Sequence, residues 1–181
     1  MAINDKFVLA VITARGGSKR VLRKNLREYA GKPLVVHAIE QAKAAKLLDH
    51  IMLSTDDKEI AQVGWSNYVD VQMRPEELAT DDASSEDVLR HLLCKMPADI
   101  VVLLQPTSPL RTAEDIDACI ERAQLGNGCI SVGPDGLTNG AVYVATREWI
   151  MEHDFSHMGL MKYRMPEERC LDIDYPEDFE K

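Results

Sequence analysis

The sequence predicts an α/β protein built on a mostly parallel sheet with helices on both faces. Three observations lead there. Strand-length apolar runs alternate with helix-spaced segments through the first two-thirds of the 181 residues. The run Ile100–Leu104 (IVVLL) is apolar at every position, as expected of a strand covered on both sides. The first run, residues 7–14 (FVLAVITA), passes directly into Arg15-Gly16-Gly17-Ser18-Lys19. In open α/β sheets, ligands sit beyond the carboxyl ends of the strands, which is where this loop falls.

The elements follow in order. After the basic loop, Pro33 opens a helix to about residue 48, with Leu34, Ala38, Ala42 and Ala45 spaced along one face. Residues 51–54 form a short strand, and Asp56 or Asp57 caps a helix over 58–65. Residues 68–73 alternate as a strand, and the Ser84-Ser85-Glu86-Asp87 run caps a helix ending near Cys94. Thr112 is the N-cap of a helix to residue 125 with acidic residues in its first turn. Residues 129–132 and 141–145 read as strands, and 147–153 as a short helix. No repeat, linker or low-complexity segment divides the chain, so residues 1–181 are read as one domain.

Composition excludes several function classes. A hydrophobic content of 45% and a charged content of 28% are those of a soluble globular domain with a proper core. The formal net charge of -9 argues against a general nucleic-acid binder, though not against a small anion held by local basic groups. No apolar stretch reaches membrane-spanning length, and residues 7–14 are too short for a signal sequence. Cys94, Cys119, Cys129 and Cys170 are scattered without a CxxC pair, so they read as reduced thiols in a cytoplasmic protein, not as a zinc site.

Against that acidic background, positive charge is concentrated in one loop. Arg15, Lys19, Arg20, Arg23 and Lys24 fall within ten residues, and Gly16 and Gly17 allow backbone N–H groups to approach an anion. Neither the Walker spacing nor G-x-G-x-x-G is present, so the loop suggests polyphosphate binding by another strand-loop-helix design. Arg74 follows a strand and would donate to the same ligand; as a plain surface residue it would only pair with a neighbouring acid. Gln105-Pro106-Thr107-Ser108-Pro109-Leu110-Arg111 follows the strongest strand, and its two prolines stiffen a loop that presents several polar groups. Asn139-Gly140 alone reads as a turn. Asp172 and Asp174 alternate, so an extended segment turns both carboxylates to one side. Unpaired, they would repel, and a hard cation such as Mg²⁺ would relieve them; the plainer reading is a solvated acidic tail.

Five segments in this order, ARGGSKRVLRKN, RPEELATDDASSEDV, LLQPTSPLR, NGAVYV and DIDYPEDF, give the chain a resemblance to the acylneuraminate cytidylyltransferases, the CMP-sialic acid synthetase family. The resemblance implies a three-layer, Rossmann-like nucleotide-diphospho-sugar transferase fold. It also implies transfer of CMP from CTP to a nine-carbon keto-acid sugar with release of pyrophosphate. By motif position, Arg15, Gly16, Gly17, Ser18, Lys19, Lys24 and Asn25 would hold the triphosphate. Arg74, Ala83 and Ser85 would line the cytosine pocket, while Gln105, Thr107 and Ser108 would face the sugar and Arg111 would brace their loop. Asp172 and Asp174 would bind Mg²⁺, and catalysis would rest on Arg15, Lys19, Asn25 and Asp174. The group that takes the proton of the attacking hydroxyl stays open between an aspartate and metal-bound hydroxide.

The chain departs from the family pattern in three places. Leu22 stands where the family carries proline, which would loosen the basic loop. Between Val132 and Asn139 only six residues remain where the family has a few tens, the segment that holds its dimerisation arm and part of its sugar grip. The sequence stops at Lys181, where the family continues as a helix. The expected partners are therefore CTP and a keto-acid sugar, with no nucleic acid or membrane, and the expected state is a monomer or weak homodimer. The stretch LATDDASSEDV points towards the sialic acid branch. Alternatives are a pseudaminic, legionaminic or 3-deoxy-octulosonic acceptor, or a CTP-binding protein without turnover. A scaffolding protein with no ligand would leave the basic loop unexplained.

Overall fold

A computed structural model describes residues 5–80 and 82–181. Asp81, inside the RPEELATDDASSEDV segment, lies outside the described residues. Strands β1 (Val8–Thr13), β4 (His50–Thr55), β5 (Asp70–Met73), β6 (Ile100–Leu104), β7 (Gly128–Val132), β8 (Thr138–Thr146) and β9 (Met161–Arg164) form one sheet in the order β5-β4-β1-β6-β8-β7-β9. All run in one direction except β8, which is antiparallel to both β6 and β7. A two-stranded hairpin of β2 (Glu28–Tyr29) and β3 (Lys32–Pro33) stands apart from it. From β1 the chain moves outward through β4 to β5, then crosses to the other side of β1 to lay down β6. That reversal opens a crevice at the carboxyl ends of β1 and β6.

Alternation along β1 explains the three layers. Val8, Ala10 and Ile12 face one side, where they pack with helices α1 (Leu34–Ala44), α2 (Lys58–Ser66) and α4 (Ala113–Ala123). Leu9 and Val11 face the other and pack with α3 (Ser85–Leu93) and α5 (Arg147–Glu152). A strand buried on both faces must be apolar throughout, and that is why β1 and β6 carry no polar residue before their ends.

The predicted caps are present. Asp57, not Asp56, caps α2, its Oδ1 accepting from the Glu59 and Ile60 N–H groups. Ser84 with Asp87 and Thr112 with Asp115 form reciprocal capping boxes on α3 and α4. Boundaries differ where tertiary contacts intervene. Helix α1 ends at Ala44, short of residue 48, because the Asp117 carboxylate accepts from the Lys46 and Leu47 N–H groups and diverts them from the helix. Asn139-Gly140 is not a turn before a strand: both residues belong to β8, Gly140 at φ +76°. The turn lies earlier, at residues 133–137. There the Gly136 N–H donates to Gly133 O (3.0 Å) and the Gly133 N–H to Leu137 O (2.9 Å), with Gly136 at φ +79°. The shortened connection is thus a closed hairpin. Strand β9 and the β2–β3 hairpin were not expected from the sequence.

Candidate active site

At the carboxyl ends of β1 and β6 lies a cavity of about 620 Å³. Its basic wall is the loop after β1. Arg15, Ser18, Lys19, Lys24 and Asn25 all line it, joined by Arg20 of the same basic cluster. Asn25 is buried, and its Nδ2 donates to Arg15 O (2.9 Å), tying both ends of the loop together. The Gly16 N–H donates to Asp56 Oδ1 (2.9 Å), and a Cβ on Gly16 would stand 2.7 Å from Asp57 Oδ2. Glycine is required at position 16 by this approach of the β4–α2 junction. This corrects the expectation that the Gly16 amide faces an anion, because its donor is taken within the chain; neither Gly16 nor Gly17 lines the cavity. Leu22 is exposed, and the turn after it is made by Arg23 at φ +53°.

The opposite wall comes from the segment after β5, the amino end of α3 and the loop after β6. Arg74 donates from Nε to Ser54 Oγ and from Nη2 to Ser54 O, both at 3.0 Å, which holds the guanidinium at the cavity edge. Burial lowers it to about 10, against the pull of Asp56 and with the push of Arg15, so it stays cationic at neutral pH. Ala83, Ser84 and Ser85, at the amino end of α3, line the cavity beside Thr80. Gln105, Pro106 and Thr107 close it from β6. Ser108 does not reach it: the residue is fully buried, 3.9 Å from the place a Gly140 Cβ would take, and its Oγ has no hydrogen-bond partner. The chain turns back at Ser108, and Thr107 takes the outward place. Arg111 braces the loop as expected, donating to Gln105 O (2.8 Å), Ala141 O (2.6 Å) and Gln41 Oε1 (3.0 Å). Complete burial pulls this guanidinium down to about 9.

Asp172 and Asp174 both line the cavity, with Ile173 buried between them and its N–H donated to Thr107 O (2.8 Å). The alternation predicted for this segment is therefore present. The expectation that both carboxylates are unpaired is not met. Asp174 receives Arg20 Nη1 at 2.8 Å and Lys24 Nζ at 3.0 Å, partners 154 and 150 residues away in sequence. Among the described residues Asp172 has no such cation pair; burial first, and the charge of Asp174 with it, raises its carboxyl above the usual range against a hydrogen bond from the Thr107 side chain. Among the described residues no three acidic, histidine or cysteine side chains are grouped as metal ligands. Two carboxylates facing a basic loop nevertheless fit a hard divalent ion, since Mg²⁺ binds through one or two carboxylates plus substrate phosphates.

A second cavity of about 270 Å³ adjoins the first, sharing Ser85 and Gln105. Leu103, Tyr143 and Phe155 give it an apolar wall, and Glu86, Thr138 and Ser156 are polar points on its rim. Burial pushes the Tyr143 hydroxyl up to about 12, so it is a neutral donor at physiological pH. No motif in the sequence signals this cavity. Tyr143 sits inside the NGAVYV motif, but nothing local signals Phe155.

Comparison with known proteins follows this geometry. A family model described as cytidylyltransferase matches residues 9–134, which include β1 with its basic loop, Arg74 and the Gln105–Arg111 loop. The chain belongs to the cytidylyltransferase family. Among curated relatives, CMP-N,N'-diacetyllegionaminic acid synthase of Legionella pneumophila is 42% identical over 137 residues, covering 72% of this chain and 59% of the relative. N-acylneuraminate cytidylyltransferase of Escherichia coli is 29% identical over 212 residues, covering 96% of this chain and 50% of that protein. This cytidylyltransferase chain thus spans half to three-fifths of the length of these two relatives. A solved structure of CMP:2-keto-3-deoxy-manno-octonic acid synthetase complexed with CTP superposes with a TM-score of 0.80 at 16% identity. It covers 96% of this chain and 95% of that one, and it shows that the fold is the nucleotidyltransferase fold.

Proposed function

We propose that this cytidylyltransferase transfers CMP from CTP to the anomeric hydroxyl of a nine-carbon keto-acid sugar of the sialic-acid type, releasing pyrophosphate. The observation that carries the reading is the first cavity: Arg15, Lys19, Arg20, Lys24 and Arg74 line it together with two carboxylates. That is a charge distribution for a polyphosphate and its counter-ion. In this reading the loop after β1 holds the triphosphate, and Arg74, Ala83 and Ser85 border the base. The acceptor occupies the adjoining cavity beside Gln105 and Thr107, where Tyr143 and Phe155 offer an apolar surface to an acyl group.

Catalysis by such a site is positioning and charge neutralisation. Gln105, common to both cavities, stands where acceptor and nucleotide meet, so the hydroxyl can approach the α-phosphorus opposite the pyrophosphate. Arg15, Lys19 and Lys24 take the charge that develops on the leaving group. Asp172 and Asp174 would hold Mg²⁺, which supplies further charge neutralisation at the phosphates. For this arrangement Arg20 and Lys24 exchange Asp174 for phosphate oxygens. The relatives' names support the acceptor class, and the 42% identity to the legionaminic acid enzyme favours a legionaminic-type sugar as a second reading. The four free thiols fit a reducing cytoplasm.

Pyrophosphate release measured with CTP, Mg²⁺ and a panel of sialic, legionaminic, pseudaminic and 3-deoxy-octulosonic acids tests the proposal. Release with one of the nine-carbon acids is expected and names the acceptor. CTP binding without release under any acceptor would leave a nucleotide-binding protein without turnover and overturn the transfer reaction.

A further inference from the structure

The two cavities are joined by one helix, and a single arginine on it fastens the far wall of the second. Arg90, in the last turn of α3, donates from Nε to Ile150 O (2.9 Å) and from Nη2 to His153 O (2.9 Å) and Asp154 Oδ1 (2.5 Å). These contacts hold the end of α5 and the strand-like segment after it, directly before Phe155. One turn earlier, Glu86 Oε1 accepts from the Phe155 N–H (3.2 Å). The Phe155 ring in turn lies 5.0 Å from the Tyr143 ring, centroid to centroid. At its other edge Arg90 donates from Nη1 to Asp87 Oδ1 (3.2 Å). Asp87 is the residue that completes the cap with Ser84, and Ser84 lines the nucleotide cavity. A set of hydrogen bonds therefore runs from the cap at the first cavity, through Asp87 and Arg90, to the backbone directly before Phe155.

We propose that Arg90 is a positioning residue for the acceptor, setting Phe155 and through it Tyr143 against the end of α3 that borders the nucleotide. The role rests on the reading of the second cavity as the acceptor site. Arg90 lines neither cavity, so it acts only through the segment it holds. An arginine is required because four separate acceptors around a fixed fork cannot be met by the single point donor of a lysine.

The test compares wild type with Arg90→Met, which keeps the length of the stem, and with Arg90→Lys. Initial rates are measured with CTP and with the responsive keto-acid sugar varied separately, and amide hydrogen exchange is followed over residues 150–156. Arg90→Met is expected to raise the acceptor KM about tenfold or more, with the CTP KM within about twofold of wild type. Exchange over 150–156 is expected to quicken, and Arg90→Lys to fall between the two. An unchanged acceptor KM, or an equal rise in both KM values, overturns the proposal. Should wild type turn over none of the sugars, the proposed reaction fails, and Arg90 is then judged by exchange and by calorimetric CTP affinity. Faster exchange at 150–156 with unaltered CTP affinity supports the coupling of Arg90 to Phe155, and unaltered exchange overturns it. Should Arg90→Met not fold, Arg90→Lys carries both measurements.

Discussion

Asp172 and Asp174 lie two residues apart on one extended segment and meet opposite surroundings. Asp174 is met by Arg20 and Lys24, whereas Asp172 is pressed into the cavity wall next to Asp174. A carboxyl raised in the folded state contributes stability that is present below its unfolded value and is lost as pH rises through the folded one. Asp172 therefore weakens the folded protein at neutral pH in the absence of ligand. Asp172→Asn is expected to unfold at a temperature equal to or above wild type at neutral pH, the gain shrinking as pH is lowered towards about 4. The same variant is expected to lose about 100-fold or more in pyrophosphate release. Thermal unfolding across pH checks the first effect; a variant less stable than wild type at neutral pH would show that the Thr107 hydrogen bond to Asp172 outweighs its burial. A destabilised residue at the site and a stable scaffold elsewhere is the usual division in enzymes.

Elements are held together by a second carboxylate with the reverse sign. Asp115, fully buried in α4, accepts from Arg169 Nη2 (2.8 Å) and Nε (2.9 Å), Tyr163 Oη (3.0 Å) and the Thr112 N–H (2.9 Å). Burial would raise it, but these bonds outweigh burial and hold it below the usual carboxylate range. Its stability is thus present above the unfolded value and lost as pH falls through the folded one. Asp115→Asn should cost about 2 kcal/mol in denaturant unfolding at neutral pH, because a buried amide cannot accept the bonds that the carboxylate takes from Arg169, Tyr163 and Thr112. The deficit should narrow on acidification; a cost under about 1 kcal/mol would show that the network is not stabilising.

The same element shows what was legible in the sequence. Thr112 and Asp115 announce a helix start because a cap is a contact three residues long. The clustered basic loop and the Gln105–Arg111 segment were legible for the same reason, since each carries its chemistry within one short stretch. Strand β9 was not, because Met161–Arg164 becomes a strand only by pairing with β7 about thirty residues earlier. The pairing of Asp174 with Arg20, the burial of Ser108 and the meeting of Tyr143 with Phe155 are likewise products of the assembled sheet. No local pattern encodes them.

At the scale of the whole molecule, the β7–β8 connection carries an expectation about assembly. Six residues close it as a tight turn, while the Escherichia coli relative aligns over 212 residues, more than the 181 of this chain. With this connection closed as a turn, the protein is expected to sediment as a monomer or as a dimer that dissociates in the micromolar range. A sharp boundary at dimer mass at low micromolar concentration would show that another surface pairs the chains. The proposed nucleotide site is expected to need one copy alone, since Arg15, Lys19, Arg20, Lys24 and Arg74 of a single chain line the first cavity. Calorimetric titration of CTP in the presence of Mg²⁺ tests that claim most directly. One CTP per chain is predicted, weakened at least tenfold (about 1.4 kcal/mol) by Arg15→Ala and unchanged by Lys95→Ala at the far end of α3. CTP binding that is absent, or that is indifferent to Arg15→Ala, would contradict the assignment of the cavity to the nucleotide.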